Sequence, residues 1–246
     1  MGVPGLSNPE ILAGRTFTVP PERRNRIVSV VLQHVDPARP LRVLDLGCGT
    51  ALNALALAEA LPHASVSGVD LSSASIAQGE AASRRHPAGA RVTLTAANYL
   101  QVLGGPFDVI VSDTVLYAIP APDEALFGKI AGDLAPGGLL VYTMPTNALA
   151  NRLVVALRRV LKRMRGRRTD ALLLAIARAL HGGRYDDALL RERVPYMYVV
   201  PDRYDSRALH ARLRERWGFE ILATEPIPRA SPAQLKHRLV VARRPR

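Results

Sequence analysis

The chain has 246 residues, 48% of them apolar, with 33 Lys and Arg against 21 Asp and Glu and a formal net charge of +12. That length supports one α/β domain with insertions and a substantial core, at the composition of an ordinary globular protein. No apolar run reaches the roughly 18 residues that span a bilayer, residues 1–8 lack the basic-then-apolar pattern of a signal peptide, and the lone Cys48 excludes an internal disulfide, which fits a reducing cytoplasm.

A helix over 22–34 comes first, so residues 1–40 are expected to form an N-terminal helical cap and 41–246 the main domain. The first strand, 41–46, carries Val43, Leu44, Asp45 and Leu46 and breaks at Gly47, Cys48, Gly49 and Thr50 before a helix over 51–61. Without a Cβ, Gly47 and Gly49 let the backbone turn tightly and let a ligand approach the main chain. The next strand, 64–69, runs into Asp70 and Leu71. An acid about 20 residues after a glycine-rich strand-to-helix turn is the usual partner of a ribose, and its two oxygens can take two hydroxyls. The dinucleotide fingerprint requires a third glycine where Leu52 stands, which counts against NAD and FAD. No phosphate-cradling Gly-x-x-x-x-Gly-Lys-Ser/Thr run is present.

Downstream, a helix over 73–85, strands over 91–96, 107–112 and 138–144, and a helix over 123–134 continue the alternation. Apolar, β-branched strands alternating with helices predict a parallel sheet covered on both faces. Ligands of such sheets sit beyond the carboxyl ends of the strands, where Gly47, Asp70, Asn98 and Asp113 all fall. A helix over 206–216 and strands near 219–225 and 237–243 close the chain.

Between these parts lies an insertion over 147–205. In Asn151–Arg165, Leu153, Val154, Leu157, Val160, Leu161 and Met164 share one helical arc and six basic residues occupy the other side. Gly166 breaks that helix, and Thr169 or Asp170 is expected to cap the next, Ala171–Leu180. The plain reading packs the apolar arc on the domain or on a partner subunit, with the arginines as a solvated face; a basic amphipathic helix also suits a membrane surface or nucleic acid. Residues 1–150 hold ten Lys/Arg and twelve Asp/Glu, and residues 151–246 hold twenty-three and nine, so the second half carries the whole charge excess. Tyr185, Tyr196, Tyr198 and Tyr204 crowd the end of the insertion, which suits a lid over a flat organic substrate or, more plainly, packing of the insertion against the sheet.

The run Val43–Ala51, the acid Asp70, the run Thr93–Tyr99, the segment Pro106–Asp113 and the run Leu134–Val141 follow one another as in the class I S-adenosylmethionine-dependent methyltransferases, which this chain resembles in their small-molecule form. The resemblance covers about residues 41–145. It implies an α/β fold: a doubly wound, mostly parallel seven-stranded Rossmann-like sheet with an α-helical insertion after strand five and an antiparallel last strand. S-adenosylmethionine is the implied cofactor, lying over Gly47, Cys48 and Gly49. Asp45 orients its methionyl amine, Asp70 and Leu71 meet the ribose side, and Asn98 and Tyr99 stand where the family places an acid on the adenine amine. Ser112 and Asp113, at the end of strand four, are implied cofactor contacts, and the run Val115–Ile119 after them is where cofactor and substrate meet in relatives. Cys48 is a small packing residue there.

The chemistry implied is in-line displacement at a methyl sulfonium, which needs placement and water exclusion, and a base only for a protonated acceptor. Candidates are Asp113, Tyr117 and His181; His210 and His237 are expected to be structural. After strand four the chain has Ser112-Asp113-Thr114-Val115 rather than Asn/Asp-Pro-Pro-aromatic, and it offers no suitably placed cysteine, both of which argue against a nucleic-acid acceptor. No His/Cys/carboxylate cluster has metal-ligand spacing. The expectation is therefore methyl transfer to an oxygen, nitrogen or carbon of a small acceptor in secondary metabolism, in the cytoplasm. A lipid-like acceptor at a membrane surface, with contact through 151–168, a homodimer, and a non-catalytic cofactor-binding scaffold are the alternatives.

Overall fold

The structure, a computed structural model, describes residues 19–181, 183, 187, 190, 191, 194–229 and 234–246. Seven strands form one sheet in the order β3-β2-β1-β4-β5-β7-β6. They are β1 Arg42–Leu46, β2 Ser65–Asp70, β3 Val92–Ala96, β4 Phe107–Ser112, β5 Leu134–Pro145, β6 Glu220–Pro226 and β7 His237–Arg243. The helices are α1 Pro21–Leu32, α2 Leu52–Ala60, α3 Ser73–Ser83, α4 Asp123–Asp133, α5 Leu149–Arg163, α6 Arg167–His181 and α7 Arg207–Trp217. The pairs β1–β2, β1–β4, β2–β3 and β4–β5 are parallel, whereas β7 runs antiparallel to both β5 and β6. The expected mostly parallel sheet is thus a mixed one.

Side chains alternate between two apolar layers, as the period of two along a strand demands. Val43, Val109, Val111 and Val141 face Ile27 and Val31 of α1 and Leu57 of α2. Leu44, Ile110, Leu140 and Tyr142 face Leu126 and Phe127 of α4 and Leu209 and Leu213 of α7. The N-terminal helix α1 packs Ile27, Val30 and Val31 into the same core as the sheet and α2; residues 1–18 lie outside the described residues.

Two boundaries differ from expectation. β5 begins at Leu134, not 138, because Leu134 pairs with Phe107 and the Pro-Gly-Gly run is absorbed as a bulge before Val109 pairs with Leu139, with Gly137 at φ +76°. α6 begins at Arg167 rather than Ala171, and neither proposed cap is used: Thr169 Oγ1 donates back to the Met164 carbonyl, and Asp170 accepts from the Tyr198 hydroxyl at 2.5 Å. Among the described residues no helix is long and apolar enough to cross a membrane.

Candidate functional site at the carboxyl edge of the sheet

The strand order reverses at β1, between β2 and β4, which is where open α/β sheets bind ligands. The turn leaving β1 is packed there from both sides. Gly47, at φ +76°, donates to the Val69 carbonyl at 2.7 Å, and a Cβ on it would stand 2.2 Å from Val115, just beyond β4. Gly49, at φ +53°, has no atom within 4 Å of its Cβ position. The first glycine lets the turn fit against β4; the second leaves open space over the main chain. Cys48 is buried and its thiol is pushed up by burial, so it remains a protonated packing group.

Asp70 spans this opening. One carboxylate oxygen accepts from Gly49 N at 2.9 Å and the other from Ser72 N at 2.8 Å. Each oxygen keeps a second lone pair, and the carboxylate is half-exposed, so it can take two further hydroxyl donors. Leu71 beside it is 53% exposed and offers an apolar rim. Ser72 then caps α3 by accepting from Ser75 N at 3.1 Å.

Asp45 is nearly fully buried at the end of β1. The Ala54 N–H, in the first turn of α2, donates to its carboxylate, while Oδ2 has no partner among the described residues. Burial first, and then the negative charges of Asp113 and Asp70, push its carboxyl up to about 7. A buried acid with an idle oxygen fits a cationic group, and Asp70 fits a ribose diol. Together with the open space over Gly49 they fit S-adenosylmethionine, which carries both features.

Asp113 does not offer itself as a base. The Arg23 Nε donates to Asp113 Oδ2 at 2.9 Å, its Nη2 donates to Oδ1 at 2.5 Å, and Thr143 Oγ1 donates to Oδ1 at 2.6 Å. Arg23 also reaches Thr143 Oγ1 at 3.0 Å and the Pro228 carbonyl at 2.5 Å. Asp113 is thereby an anchor that ties α1 to the ends of β4 and β5. The next residue, Thr114, is held at φ +66°, a left-handed conformation uncommon for a β-branched residue, with its N–H on Thr143 Oγ1 at 2.8 Å. On the far side of the same loop Arg203 donates to Asp123 at 2.7 Å and to the carbonyls of Leu116, Ile119 and Ala121. The loop that shapes the acceptor side is therefore clamped by two buried arginines.

Tyr117 lies on that loop. It is pushed up to about 12, chiefly by burial, so its hydroxyl stays a donor; Arg158, Asp113, Arg23 and Tyr196 are the charged or polar groups it senses. Its ring meets His237 with centroids 5.3 Å apart. His237 opens β7 opposite Pro145, at the carboxyl edge of the sheet. Its Nδ1 lies 2.7 Å from the Leu235 carbonyl, which can only accept, so Nδ1 carries the hydrogen. Its Nε2 is buried without a partner among the described residues. Burial, reinforced by Arg23 and Arg158, lowers the ring to about 4. We predict that ring ¹⁵N shifts of His237 keep a neutral Nδ1–H pattern from pH 8 to pH 5; a ring that charges near its ordinary 6.5 contradicts this environment.

The remaining expected residues are placed differently. Asn98 is exposed, and its Oδ1 accepts from Leu100 N at 3.1 Å, which leaves its amide outward at the end of β3. Tyr99 points into the core and donates to Asp133 at 2.9 Å, so its side chain supports α4 instead of lining the site. Ser112 is fully buried and donates to the Leu46 carbonyl at 3.0 Å, stapling β4 to β1. His181 ends α6, half-buried, on the insertion rather than on the sheet edge. Tyr198 belongs to the insertion's own apolar cluster with Leu174, Leu190, Val194 and Val199, against which Tyr117 packs. Tyr185 lies outside the described residues.

Arg23, Thr143 and His237 were not singled out by sequence as site residues. Arg23 left a signal: it sits at i, i+4 and i+7 spacing with Ile27 and Val30, so a charge occupies the apolar stripe of α1. Thr143 is likewise a polar residue inside a buried strand run.

Residues 43–138 match the family model described as a methyltransferase domain. A trans-aconitate 2-methyltransferase of Methylobacterium nodulans is 32% identical over 158 residues, 64% of this chain and 57% of that protein. A release factor glutamine methyltransferase of Geobacter sulfurreducens is 47% identical over 86 residues, 34% of this chain and 29% of that protein. The chain spans about half the length of the curated relatives it matches. Among solved structures, magnesium protoporphyrin IX methyltransferase from Synechocystis PCC 6803 with bound SAH superposes at a TM-score of 0.60 with 18% identity, covering 90% of this chain and 81% of that one. N-methyltransferase NodS from Bradyrhizobium japonicum WM9 in complex with S-adenosyl-L-homocysteine gives a TM-score of 0.56 with 17% identity, covering 98% and 94%. At such identities these neighbours speak to the fold.

Proposed function

We propose that this chain, whose residues 43–138 match the methyltransferase-domain family model, is a class I S-adenosylmethionine-dependent methyltransferase, and that the whole protein transfers a methyl group to an oxygen, nitrogen or carbon nucleophile of a small organic acceptor of secondary metabolism. The observation that carries this reading is the pairing of Asp45, buried with an idle oxygen, and Asp70, aimed across the open Gly49 turn. When bound, S-adenosylmethionine supplies a methyl already activated on a sulfonium. This chain's part is to orient and to exclude water. Asp70 takes the ribose hydroxyls and Asp45 the methionyl ammonium. Tyr117, protonated and packed under the insertion, closes the acceptor side and can donate to the acceptor. His237 Nε2, a neutral acceptor at the same edge, can receive a hydrogen bond from an acceptor O–H or N–H.

Asp70→Ala tests the reading. S-adenosylhomocysteine affinity, measured by calorimetry, is expected to fall ~10- to 100-fold, because the variant loses charge-assisted hydrogen bonds and leaves the Gly49 and Ser72 N–H groups without their acceptor. An unchanged affinity, or NAD binding with hydride transfer, sinks it. A second reading, a lipid-like acceptor, draws its support from α5, on which Leu149, Leu153 and Leu157 are between 52 and 69% exposed.

A further inference from the structure

α5 is mounted inside out for a helix in water. Its protein-facing side is Asn151, Val155 and Arg158, at i, i+4 and i+7. Asn151 donates to the carbonyls of Thr146 and Lys236, both at 2.8 Å, and accepts from Lys236 N at 3.0 Å. Arg158 donates to the Val199 carbonyl at 3.1 Å. These bonds fix the rotation of the helix about its axis. The apolar arc that sequence periodicity expected to pack on the domain or a partner subunit consequently points away from the domain except at Leu161, which packs against the insertion's own cluster. Leu149, Leu153, Leu157, Val160 and Met164 are each between 50 and 69% exposed. α6 repeats the pattern at four-residue spacing, with Leu172, Ile176 and Leu180 between 46 and 69% exposed. Single exposed apolar residues need no explanation, but eight at helical spacing on two consecutive helices mark an interaction surface.

The charges beside this stripe indicate its partner. From Leu149 to Arg168 there are eight basic residues and no acidic one. Arg152, Arg159 and Arg163 are exposed along one flank of the leucines, at i, i+7 and i+11. A second copy of the chain is a poor match, because a two-fold contact would set this cationic flank against itself. Nucleic acid matches the arginines but gains nothing from a central stripe of leucine. An apolar stripe bordered by arginines, whose long stems let the charge rise to headgroup level, is the pattern of a helix lying in a lipid interface.

We propose that the outward face of α5 and α6 docks the protein on an anionic membrane surface. α5 starts four residues after β5 leaves the sheet at its carboxyl end, so docking brings the ligand edge close to the bilayer. The proposal stands on the exposed stripe and its charges, independently of which acceptor the site takes.

The test is co-sedimentation of the full chain with vesicles of phosphatidylcholine, with and without roughly a third phosphatidylglycerol. We expect binding to the anionic vesicles at low salt, weakened on the order of tenfold when salt rises to about 0.5 M, where screening is nearly complete. L153E/L157E is expected to abolish binding and R159E/R163E to weaken it on the order of tenfold or more. Both variants should keep the thermal transition and S-adenosylhomocysteine affinity of the parent, since neither pair touches the cofactor turn. Failure to sediment with anionic vesicles at low salt overturns the proposal, as does undiminished binding by L153E/L157E. Light scattering that shows a dimer which L153E/L157E dissolves assigns the face to a second copy instead. A gel shift with nucleic acid that L153E/L157E leaves intact, without vesicle binding, assigns it to nucleic acid.

Discussion

Arg23→Ala is expected to destabilise the protein by ~3–5 kcal/mol, the usual effect of removing one partner of a fully buried ion pair. For a chain of this size that corresponds to a fall in Tm of ~6–20 °C. Arg23 is completely buried, and its guanidinium contacts Asp113 with two nitrogens, Thr143 and the Pro228 carbonyl. Alanine would leave the Asp113 carboxylate buried with only Thr143 as partner among the described residues and the Pro228 carbonyl with none from α1. It would also open a cavity where the guanidinium stem packs, beside Ile27. Asp113→Ala should cost a similar amount for the mirror-image reason. The double variant should cost clearly less than the sum, because neither charge is then left alone. Denaturant unfolding of the four proteins completes the cycle. A loss below ~1 kcal/mol for Arg23→Ala is the figure for a solvated surface pair and would return Asp113 to the candidate bases.

This ion pair also shows where sequence reading stops. The strands, their order of use and the glycine turn were legible because each is a local pattern: apolar runs, two glycines, an acid one strand later. Asp45, Gly47, Gly49 and Asp70 come together for the same reason, since the parallel register that pairs Asp45 with Gly68 and Leu46 with Val69 places all four at one edge. Asp113 was legible as a residue at that edge but not as an anchor, because its partner lies 90 positions upstream. Tyr99 and Ser112 fell in the right segments, yet Ser112 in β4 turns its hydroxyl onto the Leu46 carbonyl, and Tyr99 opens a short 3-10 turn after β3 that carries its ring into the core. For α5, periodicity identified the apolar arc but did not decide whether it faced the domain or something outside it. Periodicity defines an arc; the bonds of Asn151 and Arg158 to distant carbonyls decide which way it faces. His237 left no local trace because its role depends on β7 returning beside β5.

Asp45→Asn is expected to stabilise the ligand-free protein above pH 7 and to weaken cofactor binding, two opposite effects from one atom exchange. The carboxyl lies at about 7 in the fold against an ordinary 3.8, so ionising it there costs ~4 kcal/mol more than in the unfolded chain. The folded state therefore holds a proton that the unfolded state has released between about pH 4 and pH 7. Because the folded state binds more protons in that window, this group's contribution to stability falls as pH rises through it and is lost above it. Asparagine keeps the shape and the acceptor for the Ala54 N–H but has no charge to bury, so the two proteins should match near pH 4 and diverge by up to a few kcal/mol at pH 8. Binding runs the other way. A methionyl ammonium beside Oδ2 favours the ionised carboxylate, so S-adenosylhomocysteine affinity of the parent should rise with pH from 5.5 to 7.5 by as much as ~10-fold per unit below the carboxyl's own value, with a proton released on binding. Calorimetry in buffers of different ionisation enthalpy measures that proton directly. In Asp45→Asn the pH dependence should flatten and the affinity at pH 7.5 should drop ~10- to 100-fold, the range for a lost hydrogen bond to a charged group. A parent protein whose affinity is flat across this interval, with no proton released, would show that Asp45 is already ionised and partnered before the ligand arrives. Because stability and affinity must move in opposite directions, a variant that loses both has lost packing rather than charge, and the buried, idle Oδ2 would no longer identify the site of a cation.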